Sequence, residues 1–87
     1  MTETYTIGEE NVIYKWVLEG NNGVKYASGR VNPRRRLELV AWNIMETYNP
    51  TNNSIINIYP DPNGWGLEFI CEVSNSDDYY ISFSSIQ

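Results

Sequence analysis

The sequence predicts a single α+β domain, an antiparallel sheet with one helix packed on a face, in the order β-β-β-α-β-β-β. Three observations predict it. Stretches of two-residue apolar alternation recur along the chain, one stretch of three-and-four apolar spacing interrupts them, and the breaks between are short and rich in Asn, Gly, Pro and Asp. The 87 residues are 41% hydrophobic, 14% aromatic and 20% charged, the composition of a globular chain. Size scaling has such a chain burying about 64% of its unfolded surface, which suffices for one core and leaves no room for a second domain.

Residues 4–7 are short and β-favouring and supply the first expected strand. Residues 12–18 alternate, with Val12, Tyr14, Trp16 and Leu18 on one face and Ile13, Lys15 and Val17 on the other. Asn22-Gly23 then offers the two positive-φ positions of a tight hairpin turn, and residues 24–31 return as the partner strand. Asn32-Pro33 changes the period, because Asn caps a helix well and Pro is tolerated at its first position. The helix is expected from there to Tyr48, with Leu37, Val40, Ala41, Ile44, Met45 and Tyr48 on one stripe and Asn49-Pro50 as its end. Three further strands are expected over residues 54–59, 67–73 and 79–83, joined by Pro60-Asp61-Pro62-Asn63-Gly64 and by residues 74–78.

Charge is distributed unevenly. The formal net charge is −5, yet residues 1–36 hold six basic and four acidic residues while residues 37–87 hold seven acids and no Lys or Arg. A general affinity for nucleic acid is therefore disfavoured, and one small positive patch (Arg30, Arg34, Arg35, Arg36) on a negative body is expected. No run approaches eighteen apolar residues and no basic, apolar leader opens the chain, so the expectation is a cytoplasmic, non-membrane protein. A single cysteine, Cys71, allows no internal disulfide.

No reaction is named by these residues. Histidine is absent, which removes the commonest general base and every Ser-His or Cys-His arrangement, and Cys71 sits in phase with Leu67, Phe69 and Val73 on the expected core face. No glycine-rich phosphate loop occurs. Asp61, Asn63 and Glu72 fall at positions 1, 3 and 12 of a calcium loop, but Trp65 and Phe69 take two ligand positions and Glu72 lies in a strand pattern. An ordinary turn is the preferred reading. Glu68 and Glu72 stand about 13 Å apart along one strand face, too far for a retaining carboxylate pair. The chain is expected to be no enzyme, with no metal and no cofactor.

A binding surface is the alternative to chemistry. Glu68 and Glu72, with Asp61, Asp77 and Asp78, form either a solvated face or a negative surface that a basic groove could accept in place of phosphate. On the helix, Arg35, Leu39, Trp42 and Glu46 gather opposite the core stripe, and a Trp beside an Arg is the composition of an interface centre. Three arginines in the first helical turn would oppose the macrodipole; Arg34 could pair with Glu38 or reach an external acid. Trp65 and Tyr79 flank turns, where amphipathic rings suit contact. The expected docking set is thus Arg34, Arg35, Leu39, Trp42, Glu46, Asp61, Trp65, Glu68, Glu72, Asp77, Asp78 and Tyr79.

In size, acidity and lack of a catalytic set the chain resembles, in type and not by any shared motif, the small phage-encoded inhibitors of bacterial defence such as anti-CRISPR proteins, and the immunity proteins that neutralise nuclease toxins. That resemblance implies a stoichiometric complex with a protein partner whose basic surface handles nucleic acid. Two other readings stand beside it: a nucleic-acid module using the Arg30/Arg34–Arg36 patch, and a homodimer or larger assembly through Leu39 and Trp42 or an edge strand.

Overall fold

The computed structural model describes residues 13–31, 36–48, 54–74 and 76–85. Within them are β1 (Tyr14–Gly20), β2 (Lys25–Val31), α1 (Leu37–Tyr48), β3 (Ile56–Pro60), β4 (Glu68–Val73) and β5 (Tyr79–Ser85). The strands form one five-stranded sheet in the order β2-β1-β5-β4-β3, and every adjacent pair is antiparallel. The six-strand order expected from the sequence is corrected: two strands, not three, precede the helix among the described residues. The expected strand at residues 4–7 lies outside them.

Alternation decides which face meets the helix. On β1, Tyr14, Trp16 and Leu18 are buried while Lys15 is exposed, and β4 buries Phe69, Cys71 and Val73 while exposing Glu68 and Glu72. Register joins these into continuous rows. Leu18 pairs with Ala27 on one side and Ile81 on the other, Ile81 pairs with Phe69, and Cys71 lies between Tyr79 and Ile58. Phe69 and Phe83 meet edge-to-face at 5.9 Å, a favoured aromatic geometry. The helix closes this core with Leu37, Val40, Ala41, Ile44 and Met45, the three-and-four stripe read from the sequence. Tyr48, assigned to that stripe, is instead 47% exposed at the helix end and tilts against Trp16 with ring centroids 5.9 Å apart.

Two glycines make close approaches that a side chain would block. Opposite Trp16 sits Gly29, where a Cβ would come within 2.9 Å of three indole atoms, so the bare backbone is the seat of that ring. At Gly20 the intruder would be Tyr26, whose ring Cε2 would lie 2.7 Å from the added carbon. Tyr26 reaches this position through a bulge: Leu18 pairs with Ala27 but Glu19 pairs with Lys25, which leaves Tyr26 as the extra residue, with its ring against Tyr79 at 5.3 Å.

Two local expectations are revised. In the β1–β2 turn the Gly23 N–H donates to the Gly20 carbonyl, and only Gly23 has positive φ (81°), so Asn22 does not take the second left-handed position. Its side chain instead accepts the Val24 N–H at 3.2 Å, the arrangement of a turn followed by a left-handed glycine. The helix begins at Leu37, and the Arg36 carbonyl accepts the Leu39 and Val40 N–H groups, so Arg36 stands at the N-cap and not within the first turn. Asn32, Pro33, Arg34 and Arg35 lie outside the described residues.

Candidate functional site

Among the described residues one helix, α1, covers one face of the sheet, and the residues that alternate outward form the other. In register across that outer face run Lys25, Glu19, Tyr80, Ile70 and Tyr59, one from each strand, with Ser28, Val17, Ser82 and Glu68 as the neighbouring row. At about 4.8 Å between strands, each row places its side chains in mutual reach. Polarity is divided across the face. Lys15 and Arg30 are direct cross-strand partners near the β2 edge, and the carboxylates collect from β1 through β3.

The acidic half has two foci. Toward the β3–β4 loop, Glu19, Asp61 and Glu68 line a shallow depression of ≈ 240 Å³ with Tyr80, Ser82 and the flanking Phe69 and Ile81. Toward the other end of β4, the Tyr59 hydroxyl donates to Glu72 Oε2 at 2.8 Å and the Asn57 amide donates to Oε1 at 3.4 Å, so both carboxylate oxygens are oriented by β3. The hydrogen bond to Glu72 raises the Tyr59 pKa above its ordinary value, with desolvation and the negative charges of Glu72 and Asp78 acting in the same direction. Asp78 therefore belongs electrostatically to this second focus. Residues 37–87 contain no Lys or Arg, so no side chain of that stretch neutralises either focus.

The β3–β4 loop is the other feature of this side. Asp61 N–H donates to the Glu68 carbonyl at 2.9 Å, Asp61 Oδ1 accepts the Asn63 N–H at 2.9 Å, Gly64 N–H donates to the Asp61 carbonyl at 2.9 Å, and Leu67 N–H donates to the Gly64 carbonyl at 2.8 Å. Gly64 is buried, and a Cβ there would lie 2.7 Å from Glu68 Cβ. The tip so built presents Trp65 90% exposed at φ 56°, and Trp65 is the one positive-φ residue other than glycine among the described residues. A left-handed backbone costs a non-glycine residue roughly 1–2 kcal/mol. Glu72 is held by Tyr59 and Asn57 four residues along β4 from Glu68, while Asp61 caps its own loop, so the calcium-like spacing does not converge. Among the described residues no group of three or more potential ligands is placed to hold a metal ion.

The expected docking residues are thus separated. Asp61, Trp65, Glu68, Glu72 and Asp78 share the outer face or its loops, and Asp77 is exposed beside them in the β4–β5 turn. Leu39, 46% exposed, and Glu46, also exposed, belong to the helix on the opposite side of the sheet. Trp42 is half-buried and packs against the core. Tyr79 is buried on the helix side, and its neighbour Tyr80 takes the outer position. Arg34 and Arg35 lie outside the described residues. Glu19 was missed because it lies more than forty residues before Asp61 in the chain; only the pairing of β1 with β5, which sets Glu19 opposite Tyr80, carries it there. No helix among the described residues is long and apolar enough to cross a membrane. No protein-family model, curated protein or solved structure matches the chain.

Proposed function

We propose that the chain is a non-enzymatic acidic binding protein, an inhibitor or adaptor that docks the outer sheet face on a partner with a basic surface. One observation carries the reading: the face opposite α1 gathers Glu19, Asp61, Glu68, Glu72 and Asp78 around Tyr59 and Tyr80, and residues 37–87 offer these carboxylates no cation. A surface predominantly of one sign, as this face is from β5 to β3, steers association with the opposite sign and disfavours like-charged partners. Carboxylates spread along strands over about 13 Å also suit a groove that otherwise grips phosphates. The finer reading, that the partner handles nucleic acid and that the chain is of the anti-CRISPR or nuclease-immunity type, follows from this match of charge and from small size. Residence in the cytoplasm goes with such a partner.

The test pairs capture with competition. The wild-type chain and the Glu68→Lys/Glu72→Lys variant are immobilised, host proteins are bound, and elution is attempted with a duplex oligonucleotide. A partner that the wild-type chain retains, the variant releases and the oligonucleotide displaces supports the reading. Retention by both chains refutes it, as does direct binding of the oligonucleotide to the chain.

A second reading has its own observation. Lys15 and Arg30 face each other across β1 and β2 and line a depression of ≈ 270 Å³ with Ser28 and Gly29. Like charges directly opposite destabilise a strand pair, so an anion bridging them would relieve the repulsion. This patch, with Arg34–Arg36, is what a nucleic-acid module would use. A gel shift at low salt that weakens steeply as salt rises favours it.

A further inference from the structure

We infer that Trp65 is an anchor residue, inserted into an apolar slot on a protein partner whose rim carries Lys or Arg side chains. The indole is 90% exposed, whereas Trp16 is 8% exposed and Trp42 half-buried against the core. Its exposure is not the result of a loose segment: four hydrogen bonds close the loop on itself, and the Phe83 N–H donates to the Leu67 carbonyl at 2.8 Å, which ties the foot of the loop to β5. The backbone at Trp65 is left-handed, φ 56°, where Gly or Asn would be at ease, and Gly66 follows at 77°. The indole thus returns little apolar burial to the monomer, and its backbone conformation works against folding. Tryptophan is the residue type most enriched among side chains whose truncation cripples an interface, where it fills a desolvated pocket.

The sign of the surroundings selects the occupant. Asp61 and Glu68 stand at the foot of the loop and, with Glu19, line the depression beside it. An anionic bilayer or a phosphate backbone would be repelled at this rim, whereas a protein slot edged by cations would be matched by it. The choice of a cationic rim rests on the reading of the acidic face given above; the anchor role of Trp65 rests on its exposure and backbone.

A displayed library of random cyclic peptides, selected on the immobilised wild-type chain, provides a defined probe. Selected peptides are expected to carry an aromatic or aliphatic residue next to Lys or Arg. Trp65→Asn should weaken their binding by about thirtyfold or more, the loss typical of a hot-spot truncation. Trp65→Asn should also melt no lower than the wild-type chain, because Asn accepts the left-handed backbone, which separates loss of contact from loss of fold. Peptides that bind Trp65→Asn as tightly as wild type overturn the anchor. So does failure of the library to enrich, or a blue shift of the exposed indole on adding phosphatidylcholine vesicles or an oligonucleotide. Binding that Trp65→Asn abolishes but Glu68→Lys/Glu72→Lys leaves unchanged keeps the anchor and removes the acidic-face reading. The converse pattern keeps the face and removes the anchor.

Discussion

Replacing Gly29 by Ala tests the register on which the assignment of the outer face depends. The added Cβ would meet Trp16 Cε2, Cζ2 and Nε1, each at 2.9 Å, inside any ordinary carbon contact. Trp16 is 8% exposed, and its ring also meets Tyr48, so it has little room to retreat. Gly29 does not have positive φ, so Ala is compatible with the backbone and would by itself stabilise by roughly 0.4–1 kcal/mol through the unfolded chain. Overpacking of a filled core costs about 1–3 kcal/mol, which leaves a net loss on the order of 1–2 kcal/mol. For a domain of this size that lowers the melting temperature by roughly 5–15 °C. Of the clashing atoms Cζ2 belongs to the benzo ring that a phenyl ring lacks, and the smaller ring has more room to shift, so in a Trp16→Phe background Gly29→Ala should cost less than in the wild-type chain. Thermal denaturation of the four chains of this double-mutant cycle reads the coupling directly. If Gly29→Ala raises the melting temperature of the wild-type chain, or lowers it equally in the Trp16→Phe background, Gly29 does not face Trp16. A one-residue slip of β2 would then turn Ser28 and Arg30 toward the helix, and the division of charge described here would fail.

Further expectations follow from the same geometry. Phe69→Ala should cost about 3–5 kcal/mol by denaturant unfolding, because Phe69 is 1% exposed between Ile81 and Phe83, whereas truncating its half-buried outward neighbour Ile70 should cost far less; equal losses would mean that a second layer covers the outer face. Burial pushes the Cys71 thiol up to about 12, so as pH rises above 9 the unfolded chain loses this proton while the folded chain keeps it. Stability should therefore fall with pH between about 9 and 12 at up to roughly 1.4 kcal/mol per pH unit from this group, and Cys71→Ala should flatten that slope; an unaltered slope refutes the assignment. Glu72→Gln should lower the Tyr59 ionisation toward its ordinary range, visible in an ultraviolet titration as one tyrosine fewer titrating late. An unchanged titration would show that the hydrogen bond is absent in solution.

Alternation and helical stripe were legible in the sequence because each is a local consequence of burial: Trp16, Leu18, Phe69 and Cys71 fell on the core face, as did Leu37, Val40, Ala41, Ile44 and Met45. What was not legible is nonlocal or conformational. The placement of β1 beside β5, sixty residues later, follows no periodicity, and it alone sets Glu19 beside Tyr80. Arg36 at the N-cap was missed because Asn32-Pro33 carries a strong start signal, yet the first described helical residue is Leu37. Tyr79 was read as a contact ring beside a turn, but a strand that begins at Tyr79 buries the odd-numbered residues Tyr79, Ile81 and Phe83 and passes the outward role to Tyr80. The acidic residues Asp61, Glu68 and Glu72 lie as neighbours on one strand and its loop, a relation legible in the sequence because it is again local.

The outer face departs from what a sheet would carry if exposure were its only requirement. A solvated face is commonly laced with charges of both signs, which pair across strands. Here Glu19 and Lys25 are such a pair, but from β5 to β3 the outward positions are Tyr80, Ser82, Glu68, Ile70, Glu72, Asn57 and Tyr59, with aromatic and aliphatic surface set among carboxylates and no cation. Repulsion between Glu68 and Glu72 is small at about 13 Å, beyond a Debye length at physiological salt, so the arrangement costs the monomer little. It would become favourable only against a surface of opposite sign. Trp65 adds the complementary term at the same edge, apolar area held out of the monomer's own core by a closed loop. Charge sets which partner approaches and at what rate, and buried aromatic area sets how long it stays. A chain whose exposed indole stands at the tip of the loop that carries Asp61 to Glu68 of the acidic face has both terms available to a single partner.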